Sequence, residues 1–211
     1  MDTVEKEPNP LDFEDASEAV TPQMQAAFTQ GKWHLLALLG SVILFAAADS
    51  WVTVTSLGIA EGFAILAAII AGYGIATLGH EWGHYLGAVL SGAKAPLKNE
   101  PAILAYDFDI KNNSNEQFLA MSLGGTLGNI AVILLIWLTI PLDAPHRMAL
   151  LASSIAAMAF VGTLEWPVIK HAKTNKDPMA ALVHGFGGGL PTFRKAIIVA
   201  VVVGLLSYWI M

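Results

Sequence analysis

Two histidines four positions apart, with a glutamate between them, lie inside an apolar stretch, in the segment His80-Glu81-Trp82-Gly83-His84. On a helix, residues four apart share one face, so both imidazoles can reach one metal ion. Glu81 would lie beside that metal, where its carboxylate can take a proton from a water held there. Burial of ionisable side chains in a segment apolar enough to span a membrane costs free energy, so such residues usually have a functional role. The alternative is a pair of histidines that hydrogen-bond within a helix bundle.

A catalytic zinc ion usually has three protein ligands and one open position, so the histidine pair needs a third ligand. The chain has no cysteine, which leaves His, Asp or Glu. Glu165 is the best candidate, because it is the only acid in its apolar segment; its alternative is an interface carboxylate that pairs with Lys170. Asp107 and Asp109 are second choices. His34 is expected at the membrane interface, and no spacing signal marks the other histidines, His146, His171 and His184.

The composition is that of a membrane protein. The 211 residues are 55% hydrophobic and 13% charged, with a mean hydropathy of +0.58, whereas soluble domains carry about 25% charged residues. Most of the net charge of −6 lies near the start, where residues 2–18 hold seven acids and one lysine. No basic segment followed by an apolar core occurs there, so this is not a signal peptide. We expect residues 1–30 to form a disordered acidic tail and residues 31–211 to form one membrane domain.

Five apolar segments are candidate spans, and the chain is therefore expected to be an all-α membrane protein. The second is too long for one bilayer crossing, so it must tilt, project beyond the membrane or break near 72–74. If the N-terminus is cytoplasmic, all of the 11 lysines and arginines except Arg147 fall on the inner side, and the C-terminus is external. The spans are 33–48, 57–90, 118–140, 148–169 and 196–210.

Two of the loops between the predicted spans show a distinctive sequence pattern. The loop 94–116 contains an alternating stretch, 102–110, which predicts a short strand or hairpin at the membrane surface. Such an edge can pair with an extended substrate; the alternative is a surface loop with some local structure. The glycine-rich stretch 185–189 predicts a flexible turn or close packing.

The third span begins with small residues, which let membrane helices approach closely. Asn129 follows them. Its amide could bond a peptide backbone or stabilise a developing oxyanion, and the alternative is a structural hydrogen bond between helices.

Three motifs in this order resemble those of the site-2 protease family of intramembrane metalloproteases. HEWGH is similar to the family's HExxH on a membrane helix, and GTLGN to its Gly-Pro-x-x-Asn on the next span, with Thr126 in place of proline. LEW stands where the family has Leu-Asp-Gly, with Glu165 in place of aspartate and Trp166 in place of glycine. The loop between the first two motifs resembles the family's substrate-binding strands. The resemblance covers about 59–170.

The resemblance implies zinc-dependent cleavage of a membrane-protein substrate within or near the bilayer. His80, His84 and Glu165 would bind zinc, Glu81 would act as general base and acid, and Asn129 would help to hold the scissile backbone. The expected partners are a transmembrane substrate or neighbouring membrane subunits, and lipid, with no nucleic acid. The altered third motif favours an alternative, a non-catalytic scaffold or accessory subunit of a larger membrane complex. A haem or pigment protein is less favoured, because two histidines on one helix face cannot hold opposite sides of one haem.

Overall fold

The computed structural model describes residues 22–211, which contain six α-helices. Five of them are long and apolar enough to cross a membrane, as in a multi-pass membrane protein. The all-α class and the number of spans agree with the sequence-based expectation. The helices are α1 Pro22–Thr55, α2 Gly58–Leu90, α3 Asn115–Thr139, α4 Pro145–Asn175, the short α5 Pro178–Phe186 and α6 Leu190–Ile210.

The helix α2 is at the centre of the bundle. It packs against α1, α3 and α4, and α4 in turn packs against α5 and α6. The buried face of α2 consists largely of alanine, glycine and the two histidines, while many large apolar side chains of all five long helices are exposed. Small residues inside and large apolar residues outside are what a bundle in lipid requires, because close packing rather than water exclusion holds its helices together.

Glycines bring α2 and α3 together backbone to backbone. A Cβ on Gly83 would overlap the carbonyl oxygen of Gly124, and a Cβ on Gly128 would overlap that of Gly79. Neither helix could come this close with larger residues at these positions. Through this contact, the second half of α2, which contains both histidines, packs on the first half of α3.

The second span is one unbroken helix, so the predicted alternative of a break near 72–74 is wrong. Gly72 packs directly on α4, where its carbonyl oxygen accepts a hydrogen bond from Ser154 Oγ at 3.1 Å, and this contact supports a continuous helix. The first span is longer than expected and begins at Pro22. Residues 22–30, assigned to the acidic tail, are therefore helical. Residues 1–21 lie outside the described part, and the division into tail and membrane domain stays a prediction.

The expected surface strand between the second and third spans is not formed in the described residues. The loop makes a single antiparallel bridge between Leu97 and Tyr106, next to a hydrogen bond from Lys98 N to Ala105 O at 2.8 Å. The pairing goes no further, because side chains of α1 bond the backbone beyond this bridge.

Side chains of α1 form hydrogen bonds with several backbone groups of the same loop. The amide nitrogen of Gln30 donates to the carbonyl oxygens of Lys98 and Glu100 at 2.8 and 2.5 Å, and His34 Nε2 lies 2.9 Å from the carbonyl oxygen of Ala102. Gln30 is completely buried by these contacts. The loop is therefore held against α1 rather than extended into a sheet.

An ion cluster joins α1, α2 and α4 at the opposite end of the bundle. The ring of His146 lies between Asp49 Oδ1, 2.7 Å from Nε2, and Glu61 Oε1, 2.9 Å from Nδ1. Arg147 Nε also donates to Asp49, at 2.6 Å. Glu61 precedes His80 by roughly 28 Å of helix. Asp49 and Glu61 thus belong to a cluster separate from the two histidines of α2.

Candidate metal centre

Three side-chain atoms from α2 and α4 converge inside the bundle. His80 Nε2 lies 2.9 Å from His84 Nε2 and 3.0 Å from Glu165 Oε1, and His84 Nε2 lies 3.2 Å from the same oxygen. Both histidines are buried, and Glu165 is partly buried. These three residues form a group that could hold a metal ion, and they are the ligands that the sequence suggested.

The spacing of these atoms fits a tetrahedral metal site. Zinc bonds of about 2.0–2.1 Å to nitrogen and oxygen place neighbouring tetrahedral ligands about 3.3 Å apart. The observed triangle is only slightly tighter, so the three atoms can share one ion with little movement. Two imidazoles and one carboxylate suit zinc and several other divalent metals.

The outer nitrogen of His84 is fixed by α3. His84 Nδ1 lies 2.8 Å from the carbonyl oxygen of Met121. A carbonyl only accepts hydrogen bonds, so Nδ1 carries the proton and Nε2 keeps a free lone pair directed at the centre of the triangle. Backbone carbonyls orient metal-binding histidines in the same way in known sites.

Asn129 lies behind the other imidazole. Its amide nitrogen is 3.0 Å from His80 Nδ1, and its buried Oδ1 has no hydrogen-bond partner among residues 22–211. Exchange of the amide oxygen and nitrogen would let His80 Nδ1 donate to Oδ1 and would free Nε2 to bind a metal. The contact observed for Asn129 is thus with a candidate ligand, and its role toward a scissile backbone stays a prediction.

Gly125 makes room for the histidine pair. A Cβ at this position would overlap the ring of His84 and lie 2.7 Å from His80 Cε1. The position lies on the face of α3 that also carries Ser122 and Asn129, all three of them buried. Only glycine lets α3 pass this close to both imidazoles.

A cavity of about 380 Å³ adjoins the triad. Glu81, His84 and Glu165 form its polar wall, and Glu81 Oε2 is buried with no hydrogen-bond partner in the described part of the chain. A buried carboxylate oxygen without a partner is costly, unless water or a ligand meets it. The other walls come from the loop, α3, α4 and α5, and include Tyr106, Phe108, Phe118, Leu182 and Phe186.

Tyr106 is a cavity residue whose position the sequence did not reveal. Its side chain is 2% exposed, and its hydroxyl donates to Met121 Sδ at 3.1 Å. Burial, together with the charges of Glu81 and Glu165, raises the pKa of Tyr106 well above its usual value near 10. It therefore faces the cavity as a neutral hydroxyl. The alternating pattern of 102–110 signalled an inward-facing side of the loop, but not what that side would meet.

The second-choice ligands lie outside the triad. Asp107 pairs with Lys98 at 3.4 Å at the rim of the cavity. Asp109 accepts hydrogen bonds from Asn112, and this donation holds the pKa of the Asp109 carboxyl below its usual value.

His171 and His184, which no spacing signal marked, stack on each other with ring centroids 4.6 Å apart.

The substituted third motif leaves Glu165 in reach of both histidines. The helix α4 continues through Trp166 and Pro167 to Asn175, so the large ring causes no turn. The Trp166 side chain is 51% exposed and packs near Gly162 of its own helix. Glu165 contacts His80 and His84, and it makes no ion pair with Lys170.

Comparisons with protein-family profiles, with curated proteins and with solved structures found no match for this chain.

Proposed function

We propose that the protein is an intramembrane zinc metalloprotease that hydrolyses a peptide bond of a membrane-protein substrate within or near the bilayer. The observation that carries the proposal is the convergence of His80, His84 and Glu165 next to a cavity whose wall includes the unpaired carboxylate oxygen of Glu81. The resemblance of the HEWGH and GTLGN segments to site-2 proteases supports it.

In this proposal His80, His84 and Glu165 hold the metal. A bound zinc ion would act as a Lewis acid toward the scissile carbonyl and the attacking water. Zinc is the proposed ion because two imidazoles and a carboxylate are a common catalytic zinc set and no thiolate is available.

Glu81 would move the protons. Its carboxylate takes a proton from the water as the oxygen adds to the peptide carbonyl carbon, and it passes that proton to the amide nitrogen as the C–N bond breaks. Phe108 and Phe118, whose ring centroids lie 6.0 Å apart, form an apolar part of the cavity wall. Met121 and Asn129 orient the imidazoles from behind.

The proposed substrate is a transmembrane protein cleaved near the cytoplasmic face, since the charge bias predicts that the metal segment lies toward that side. The alternative of a non-catalytic scaffold or accessory subunit was motivated by the altered third motif. The contact of Glu165 with both histidines favours the enzyme.

Replacement of Glu81 by glutamine tests the proposal. Glu81→Gln should keep zinc but lower cleavage by about 10²–10⁴-fold, because glutamine cannot accept the proton. Mass spectrometry of new N-termini in membrane proteins of cells expressing each variant measures this, with the exposed Glu116→Gln as control. Fragments that persist with Glu81→Gln would refute the catalytic role. If wild type contains no zinc and neither Glu81→Gln nor Glu165→Ala changes any cellular readout, the scaffold is correct.

A further inference from the structure

A second cavity, of about 690 Å³, opens between α4, α5 and α6, at the end of the bundle where α4 ends and α6 begins. Its polar walls are basic or neutral, with Lys170, His171 and Thr174 from α4, His184 from α5 and Lys195 from α6. Among residues 22–211, no acidic side chain lines it. It is separate from the cavity beside the metal centre, because the two cavities share no lining residue.

The two lysines of this basic cavity are unpaired in the described part of the chain. Within residues 22–211, neither Lys170 nor Lys195 has a carboxylate within ion-pair distance. Both side chains are exposed, and the stacked rings of His171 and His184 add further hydrogen-bond donors beside them. An anion with several acceptor oxygens complements this set of groups.

The depth of the cavity indicates where such an anion comes from. Lys170 directly follows the apolar part of α4, and Lys195 directly precedes the apolar part of α6, so both ammonium groups lie at the membrane boundary. Trp166 and Val199 each lie four residues deeper on the same two helices and line the cavity as well. Tryptophan is typical of the membrane interface. The site therefore combines a cationic mouth with an apolar floor.

We propose that the basic cavity binds the phosphate head group of an anionic phospholipid. The part of an acyl chain next to the head group would then pack against Trp166 and Val199. Free phosphate would satisfy the lysines but would leave the apolar floor without a partner. Basic pockets between membrane helices recognise lipid head groups by this combination of charge and depth. The site is independent of the proposed protease activity, since it shares no residue with the triad or with Glu81.

Native mass spectrometry of the purified full chain tests this proposal. Phosphatidylglycerol and phosphatidylcholine with the same acyl chains are titrated into delipidated protein, and inorganic phosphate is titrated separately. Phosphatidylglycerol should bind at least tenfold more tightly than phosphatidylcholine. Lys170→Gln/Lys195→Gln should weaken phosphatidylglycerol binding roughly 30-fold, at roughly fivefold for each lysine near the membrane surface.

The control is Lys111→Gln/Lys173→Gln, which removes the same charge from exposed positions at the same end of the bundle but outside the cavity. It should bind phosphatidylglycerol within about twofold of wild type. Equal binding of the two lipids, or equal loss in the two double variants, would overturn the proposal. Inorganic phosphate binding as tightly as phosphatidylglycerol would overturn the assignment to lipid.

Discussion

Each imidazole of the candidate metal centre has one nitrogen directed at Glu165 and the other held by α3. Met121 and Asn129, which hold those outer nitrogens, are eight residues apart on α3, and Gly125 lies midway between them. One helix thus supplies both orienting contacts and the space for both rings. Loss of such outer contacts typically lowers metal affinity 10–100-fold.

A methyl group at Gly125 should disturb the centre without removing a ligand. Gly125→Ala is expected to lower zinc affinity roughly 10–100-fold, because its Cβ would overlap the ring of His84 and displace it. Competition with a zinc chelator measures the affinity. Gly62→Ala is the matched control, since nothing lies within 4 Å of a Cβ there. Equal zinc affinity in the two variants would show that α3 does not position the imidazoles.

The convergence of the three candidate ligands could be predicted from the sequence because each depends on one simple relation. The spacing of His80 and His84 places them on one helix face, and Glu165 is an isolated acid in an apolar segment. The hydrogen bonds of Met121 and Tyr106 could not be predicted in this way. The first uses a backbone carbonyl, which every residue has, and the second depends on how the loop folds over the cavity.

At the scale of elements, α1 does more than cross the membrane. Its N-terminal part continues beyond the apolar segment, where Ala26 and Gln30 are buried against the loop between α2 and α3. That loop forms one wall of the cavity beside the triad. The order of the loop, and with it the shape of the cavity, therefore depends on a helix that is remote in sequence.

Removal of the Gln30 amide should loosen this loop. Gln30→Ala leaves the N–H of Ala102 and two carbonyls without their side-chain partner, which costs about 1–3 kcal/mol in local stability. Hydrogen–deuterium exchange at the amides of Lys98 and Asp107 should become faster, while the exposed Gln25→Ala leaves it unchanged. Unchanged exchange in Gln30→Ala would contradict the clamping role of α1.

Hydropathy predicted the five spans well, but the elements outside the apolar runs were missed. The helix α5 was not predicted, and it ends within the glycine-rich stretch 185–189, where Gly185 packs closely on Val168 as one of the two predicted alternatives. The helix forms because Asp177 caps its first turn at 3.0 Å from Ala180 N and Pro178 follows at the first helical position. The N-terminal turns of α1 are polar, and their burial depends on contacts with a loop about 70 residues away in sequence. Neither feature produces a hydropathy signal.

At the scale of the whole molecule, the two ends of the bundle differ in charge. Among the described residues, all lysines and Arg194 lie at one end, on α1, on the loop between α2 and α3, at the C-terminus of α4 and at the start of α6. Arg147 is the one cation of these residues at the other end, where it pairs with Asp49 and Asp143. The metal centre and the basic cavity both belong to the lysine-rich half. This asymmetry predicts how the protein is inserted.

The lysine-rich end should face the cytoplasm. Alkaline phosphatase, which is active only outside, is expected to be active when fused after Met211 and inactive when fused at Gly188, and a fluorescent-protein fusion should show the reverse. Both positions lie next to helix ends and interrupt none of the long helices. A Met211 fusion with cytoplasmic behaviour would reverse or refute the topology.

The zinc content of the purified protein tests the central claim most directly. Elemental analysis of wild type should find about one zinc ion per chain, and His80→Ala should hold at least roughly tenfold less, because it removes one of three ligands. Glu81→Gln, which changes a non-ligand in the same cavity, should retain the wild-type amount. A metal-free wild type that takes up none on zinc addition, or a His80→Ala variant with the wild-type content, would contradict the metal centre.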